Sequence, residues 1–464
     1  MALLNALFLV AILTILMVAG IRFLDSTTKV ASQGNYDAEA YNMARAGLMD
    51  TLAWFRRQPT QPVTSFGPTP APSPGDPGSG DTDDPESIDP ASGAGEPNLG
   101  IVREYSLDSS SNLWGRYEVG KITRLQRDAK GHYSQYEVLQ GASDDQLTPV
   151  SLANASSTQY EGVRDVSTNE GVSTAGTVWR LRSQGYVYVQ NAPGSYFFQW
   201  PNKVLGQVDL ETEIRRLQFK DYGAALTING CGNVTCTDDN HVTLDGGSGG
   251  NDCIQGGAGT PNPDPSNSHT NTVYNGPVNS AYDTSQISWS NAFGVPDSMT
   301  LEGLADIRAT KVSDLPANLP ASAVVYIKPV GGSITFDGTH PLSGGGVLVV
   351  DGSLTIAQSS TYQSWTGMIY VNGNYVQGGN TDVTGEVVVT GNASFLTSSG
   401  GGGGHGSHGG SHGGPGGYHG GGPGGGHSST PTVTLTYDNG TVTSICNQLE
   451  NYRESRAALK VINN

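Results

Sequence analysis

The first 57 residues constrain the fold more than any other part of this 464-residue chain. Met1 to Leu24 is almost entirely apolar, and Asn5 is one of its few polar side chains. Phe23 to Arg57 contains no proline, and its alanines and leucines recur at helical spacings. Because an α-helix rises 1.5 Å per residue, this pattern predicts one helix about 80 Å long.

The two halves of the predicted helix differ in character. The first half is apolar on all sides, and about 20 such residues are enough to cross a bilayer. A secretory signal peptide would begin with basic residues and end at a small-residue cleavage site, and neither is present. We therefore predict a transmembrane helix, 1–57, that also forms the core of an assembly. Its alanine-rich, amphipathic second half is expected to dock on a folded domain.

The charge balance excludes one class of partner. The formal net charge is −18, and the segment 221–451 contains only three lysines and arginines. Such a surface repels nucleic acid, so no nucleic-acid partner is expected. Its carboxylates are also possible Ca²⁺ ligands, although a solvated acidic surface is the simpler explanation.

Three further segments follow the helix. Residues 58–100 are rich in proline, glycine and acidic side chains and predict a linker. Residues 101–222 alternate apolar and polar side chains over several short runs, which predicts an antiparallel β head packed on the helix. The predicted fold class is therefore α+β.

Residues 223–464 contain an internal repeat. Four similar segments are spaced by 20, 21 and 18 residues, and they align on Gly332, Gly352, Gly373 and Gly391. Short strands repeated at this period favour a β-solenoid, in which each coil buries its apolar face by stacking on its neighbours. A β-sandwich of hairpins is the alternative, because Asp-Gly and Asn-Gly also form hairpin turns.

The four cysteines predict two disulfides. They are Cys231, Cys236, Cys253 and Cys446. An even number in a glycine-rich chain linked to export favours disulfides over a metal site, since the sequence holds no C-x-x-C pair. Three pairings are possible, and a small 231–236 ring with a long 253–446 link is one of them.

A glycine and histidine tract at 400–428 interrupts the solenoid pattern. Its imidazoles are a weak candidate site for a transition metal, and a glycine loop without metal is the alternative. They are His405, His408, His412, His419 and His427. Catalytic motifs are absent from the sequence, and its Gly-x-Ser-x-Gly strings lie inside glycine tracts, so we expect no enzyme.

The N-terminus resembles a known family. Met1–Val10 and Asn42–Leu48 are similar to the start of a mature type IV pilin or pseudopilin, most of all the PilX-type minor pilins, some of which carry a glycine-rich repeat after the head. The resemblance implies cleavage by a prepilin peptidase and N-methylation of Met1. It also implies an inner-membrane subunit that joins other pilin subunits through the assembly machinery and reaches the cell surface as a filament.

Asn5 departs from the family pattern. Most pilins have a glutamate at the fifth residue, which pairs with the terminal amine of a neighbouring subunit. An asparagine can accept a hydrogen bond but cannot neutralise that amine. The resemblance then implies a minor or tip subunit with an adhesive role. The alternatives are a secretion pseudopilin and a membrane-anchored β-helix protein that binds or acts on polysaccharide and never polymerises.

Overall fold

The structure is a computed structural model, and it describes most of the chain in two compact units. The first unit is Met1–Arg216 with Tyr452–Asn464, and the second is Leu217–Asn451. The described residues are 2–68, 99–127, 129, 133–138, 147–149, 160–172, 174–193, 195–236, 242–263, 272–396, 432–455 and 458–462.

The predicted α+β class is wrong. Strands take 43% and helices 19%, so the protein is mainly β, and a pilin-like helix with a head does not describe most of it. Helix α1 spans Ala2–Arg57. It is the one long helix within the described part of the chain. After it, the sequence patterns are those of short strands separated by glycine turns. The transmembrane prediction is also wrong: none of the described helices combines the length and hydropathy needed for a membrane crossing.

The first unit is an antiparallel sheet with α1 on one face. Four long strands follow the order β1-β2-β7-β8, β6 pairs with β7, and β3-β4-β5 form a small separate sheet. The strands are β1 Gly100–Asp108, β2 Leu113–Gly120, β3 Thr123–Arg127, β4 Tyr133–Val138, β5 Leu147–Pro149, β6 Val163–Asp165, β7 Val178–Val189 and β8 Lys203–Arg216.

Helix α1 packs on this sheet through one face of its C-terminal part. Fully or nearly fully buried side chains recur three or four residues apart, which places them on a single side of a helix. They are Ala40, Ala44, Leu48, Leu52 and Phe55. The small Ala40 and Ala44 lie against Gly185 of β7, so the two backbones approach closely.

The opposite face of the sheet holds a buried ionic network. The Arg116 guanidinium donates to Glu104 Oε1 at 2.6 Å and to Glu118 Oε1 at 2.7 Å. Gln135 Nε2 donates to the other Glu118 oxygen at 2.8 Å, and the Phe197 ring centroid lies 4.7 Å from the guanidinium carbon. Because each buried charge has a partner, this face is a packed surface of the head.

The second unit is built from short parallel strands and three helices. The helices are α2 Trp289–Phe293, α3 Ser298–Leu304 and α4 Asn439–Leu449. The strands are β9 Ala224–Ile228, β10 Val234–Cys236, β11 Val242–Asp245, β12 Asp252–Gly256, β13 Thr272–Asn275, β14 Val278–Asn279, β15 Ile307–Ala309, β16 Val324–Ile327, β17 Ser333–Phe336, β18 Ser343–Val350, β19 Ser353–Ile356, β20 Gln363–Val371, β21 Tyr375–Gly378, β22 Thr381–Val389, β23 Ala393–Leu396 and β24 Val433–Thr436.

Successive coils of a parallel β-solenoid form this unit. Strands β16, β18, β20 and β22 lie side by side in one sheet, and β17, β19, β21 and β23 lie side by side in another. The glycines of the sequence repeat lie in the turns between these sheets. A Cβ added at Gly352 would come within 2.7 Å of the Gly332 carbonyl oxygen, and one at Gly391 within 2.6 Å of the Gly373 oxygen. Stacked turns therefore require glycine here.

One coil is assembled from two distant segments of the chain. Residues Thr381–Thr384 of β22 pair with β24, while Val387–Val389 of the same strand pair with β9. Strand β11 follows β24, and β12 follows β9. The chain thus enters the stack in its middle, and its first strand in the solenoid, β9, belongs to an interior coil.

After α4 the chain returns to the first sheet. Strands β25, Tyr452–Glu454, and β26, Lys460–Ile462, both pair antiparallel with β8, and Tyr452 lies opposite Arg216. Arg45 of α1 donates to the Glu454 carboxylate through its two terminal guanidinium nitrogens. The solenoid is therefore an insertion between two neighbouring strands, whereas the sequence predicted a C-terminal domain at 223–464.

Candidate functional site

Most of the sequence-predicted site residues remain untested. Met1 and the five histidines of the 400–428 tract lie outside the described residues, and Asn5 lies in α1 without a described side chain. N-methylation and weak metal binding therefore stay predictions. Within the described ranges, no group of three or more His, Cys, Asp or Glu side chains is arranged to hold a metal ion.

The predicted disulfides are wrong. No disulfide joins the four cysteines, and all four are buried. The Cys253 thiol donates to the carbonyl oxygens of Gly276 and Pro277 at 3.3 Å, and the Cys231 thiol donates to that of Asn279 at 3.6 Å. Each sulfur occupies a position in the solenoid core, where free cysteine behaves as a small apolar side chain. The four cysteines therefore serve as core side chains, and their even number does not indicate pairing.

We expect these thiols to be unreactive in the native protein. Burial raises the pKa of Cys253 and of Cys446 to about 12, and the thiolate is the reactive form. Mass spectrometry after iodoacetamide treatment at pH 8 should find both unmodified in native protein and alkylated in denatured protein. Dithiothreitol should leave the Tm unchanged. Rapid native alkylation or a reductant-dependent Tm would contradict the free, buried state.

The apolar part of α1 is the first candidate functional surface. The helix is continuous from the docked segment 40–57 back to Ala2. Met17, near the middle of the apolar run, is 69% exposed in the isolated chain. The sequence around Met17 is almost entirely apolar from Met1 to Leu24, and an apolar stretch of this length is typical of a segment that binds apolar partners.

The second candidate is a polar groove of about 540 Å³ on the solenoid. Strands β22, β24, β11 and β13 contribute its floor, the turn after β11 forms one wall, and the start of α4 forms the other. Its lining includes Asp245, Asn251, Asn275, Thr384, Thr436 and Asp438. Sequence reasoning missed it, since these residues are scattered over about 200 positions.

A buried carboxyl group lies on the same strand as Thr384. Glu386 is fully buried, its Oε2 accepts a hydrogen bond from the Tyr222 backbone N–H at 3.0 Å, and its Oε1 lacks a partner within the described chain. Burial, followed by the nearby Asp221 carboxylate, raises the pKa of Glu386 well above its usual value. The folded protein therefore favours the protonated form of Glu386 more strongly than the unfolded chain does.

No motif in the sequence indicates a site around Glu386. The charged residues of the coils are widely spaced along the chain. Asp221, whose carboxylate accepts from the Tyr437 hydroxyl at 2.8 Å, precedes β9. The available signal was an acid flanked by Gly385 and three valines within a single strand. The groups around Glu386 include Lys220, whose pKa is lowered by burial, and the Cys446 thiol, whose pKa is raised by burial. A thiol with a raised pKa is not an activated nucleophile.

Comparisons with known proteins do not identify a related protein. No protein-family model matches the chain, and searches of curated proteins and of solved structures also found no match. The resemblance to type IV pilins therefore rests on the N-terminal residues alone.

Proposed function

We propose that this protein is a non-enzymatic structural subunit of a cell-surface filament, assembled through α1 and displaying the solenoid for adhesion. The observation that carries the proposal is the continuity of α1, which docks on the head through 40–57 and extends through an apolar run with Met17 exposed. The N-terminal sequence resemblance supports the same role.

An apolar helix of this kind requires apolar surroundings. A helix that is hydrophobic on all sides is stable only when it is buried. Covering one side chain of the size of Met17 stabilises the buried state by about 1.5–3 kcal/mol. Copies of the same helix provide such surroundings, and the small residues Ala11, Ala19 and Gly20 allow close approach between helices.

Head-to-tail contacts between identical subunits generate an open helical filament when their rotation does not close a ring. The proposed partners are therefore further copies and other subunits with similar helices. A prepilin-type peptidase and an assembly machinery are the additional partners that the resemblance implies. Asn5, which cannot neutralise a neighbouring terminal amine, favours a minor or tip position in such a filament.

The test is a charge placed in the apolar run. We expect Ile12→Asp to lower the filament-associated fraction at least tenfold, because an unpaired carboxylate in an apolar contact is strongly unfavourable. The measurement compares sheared surface fractions by sedimentation and electron microscopy. Ala31→Asp adds the same charge at an exposed position of α1 and should assemble normally.

Two outcomes would contradict the proposal. The first is wild-type protein, produced with its native secretion and assembly genes, that is absent from every surface filament. The second is equal assembly of the two aspartate variants. Circular dichroism of both variants should match the wild type, which separates a loss of assembly from a loss of folding.

A further inference from the structure

The polar groove of the solenoid has a regular floor. Thr384 of β22 lies opposite Thr436 of β24, Thr436 lies opposite Asp245 of β11, and Asp245 lies opposite Asn275 of β13. Neighbouring strands are about 4.8 Å apart, so these four side chains form a straight row with one polar group per coil. The row continues on the other side to Thr366 of β20, which is exposed.

The row consists of polar groups that the protein leaves free. The side chains of Thr384, Thr436 and Asn275 make no hydrogen bond within the described part of the chain, and neither does that of Asn251 on the groove wall. Asp245 uses one carboxylate oxygen to accept from the Gly247 N–H at 2.8 Å. Hydroxyl and amide groups that face a groove are available to donate and accept hydrogen bonds with a ligand.

The charges on the groove restrict the ligand. Asp245 and Asp438 are acidic, and none of the described residues that line the groove is basic. An anionic polymer would be repelled, as would nucleic acid. The lining also offers little exposed apolar surface, since Tyr437 is only 4% exposed, so the central apolar anchor of a typical protein partner is missing.

We propose that this groove binds a linear, uncharged polysaccharide whose chain runs across the coils. Hydroxyl groups repeated along such a polymer match a row of hydroxyl, amide and carboxylate groups repeated once per coil. The turn at 247–251 and the start of α4 flank the chain and limit its sideways movement. The inference goes beyond the filament role and does not depend on it, because every lining residue belongs to the solenoid.

The experiment measures binding of uncharged hexasaccharides to the full chain by isothermal titration calorimetry. The panel is a β-1,4-glucan, an α-1,4-glucan and a β-1,4-N-acetylglucosamine hexamer, with a polygalacturonate hexamer as the anionic probe. We expect at least one uncharged hexamer to bind and the anionic hexamer not to bind. Failure of all three uncharged hexamers, or tighter binding of the anionic one, would overturn the proposal.

Matched variants locate the binding. Thr384→Val with Thr436→Val removes two adjacent hydroxyls from the groove and should weaken the affinity at least tenfold. Thr335→Val with Thr355→Val removes two adjacent hydroxyls from the outer face of the other sheet and should change it less than twofold. Asn275→Trp, at an exposed position, should block the groove without disturbing the core. Equal affinities across these variants would place the ligand elsewhere.

Binding and assembly can fail separately. The Ile12→Asp variant is expected to stay unassembled and yet to bind the hexamer with wild-type affinity. Binding without assembly would leave the groove proposal intact and contradict only the filament role. Loss of binding in Ile12→Asp would show that the site requires the assembled state, which would contradict a site formed within one solenoid.

Discussion

Gly185→Ala is expected to destabilise the first unit by about 3 kcal/mol, the upper end of the usual cost of overpacking a core. A Cβ at this position would collide with the Ala40 carbonyl oxygen and the Ala44 nitrogen of α1, and these are backbone atoms that cannot rotate away. The helix would have to move off the sheet, which would open the core formed by Leu48, Leu52 and other apolar side chains. Thermal unfolding should show a Tm lowered by about 6–12 °C.

The same substitution at Gly34 provides the control. Gly34 lies on an exposed part of α1, and a Cβ there would meet nothing within 4 Å. Gly34→Ala should stabilise the helix by up to about 1 kcal/mol, because alanine has the higher helix propensity. We expect Gly185→Ala to lower the free energy of unfolding and Gly34→Ala to raise it. A Gly185→Ala protein as stable as the wild type would contradict the close packing of α1 on β7.

Glu386→Gln is expected to remove a pH dependence from the solenoid. The Glu386 carboxyl titrates near 4.5 in the unfolded chain, and burial raises its pKa well above that in the folded one. Between the two values the native state holds one more proton, so the free energy of unfolding falls as pH rises, by up to about 1.4 kcal/mol per pH unit. This contribution is fully present below pH 4.5 and decreases until the folded pKa is passed.

Glutamine can still accept from the Tyr222 N–H but cannot ionise. The variant should therefore match the wild type near pH 4.5 and exceed it in stability at pH 8. Hydrogen–deuterium exchange of the peptide spanning β22 gives a local measurement in the solenoid.

Glu386→Leu separates the charge from the hydrogen bond. It leaves the Tyr222 N–H without its acceptor and should be less stable than Glu386→Gln by about 1–3 kcal/mol at every pH. A stability difference between Glu386→Gln and the wild type that stays constant from pH 4.5 to pH 8 would contradict a raised pKa for Glu386.

Local patterns in the sequence located individual strands well. The run from Val204 to Ile214 alternates apolar and polar side chains and forms part of β8, and the glycine repeat falls in the turns between solenoid strands. A two-residue periodicity and glycine turns are local properties. They can therefore be recognised in the sequence without knowing which strands will pair. The α+β prediction is wrong because the many short strands together hold more residues than the single long helix.

The candidate sites were much less predictable. The cysteine prediction failed because an even count cannot distinguish a bonded sulfur from one packed in a core. The groove could not be predicted from the sequence, because Thr384, Thr436 and Asp245 become neighbours only when three coils pair. Burial of Glu386 likewise depends on Tyr222 and α4, which lie far from it in the sequence.

By itself, the sequence determined where α1 lies, where strands and glycine turns occur, and that the chain is strongly acidic. These features follow from side-chain propensity, periodicity and charge, which act over a few residues. The tertiary structure alone decided that the solenoid is inserted between β8 and β25, that β24 and β9 share one coil, and that a polar row crosses four strands. Those arrangements depend on hydrogen bonds between distant segments, and no local pattern encodes which segments will meet.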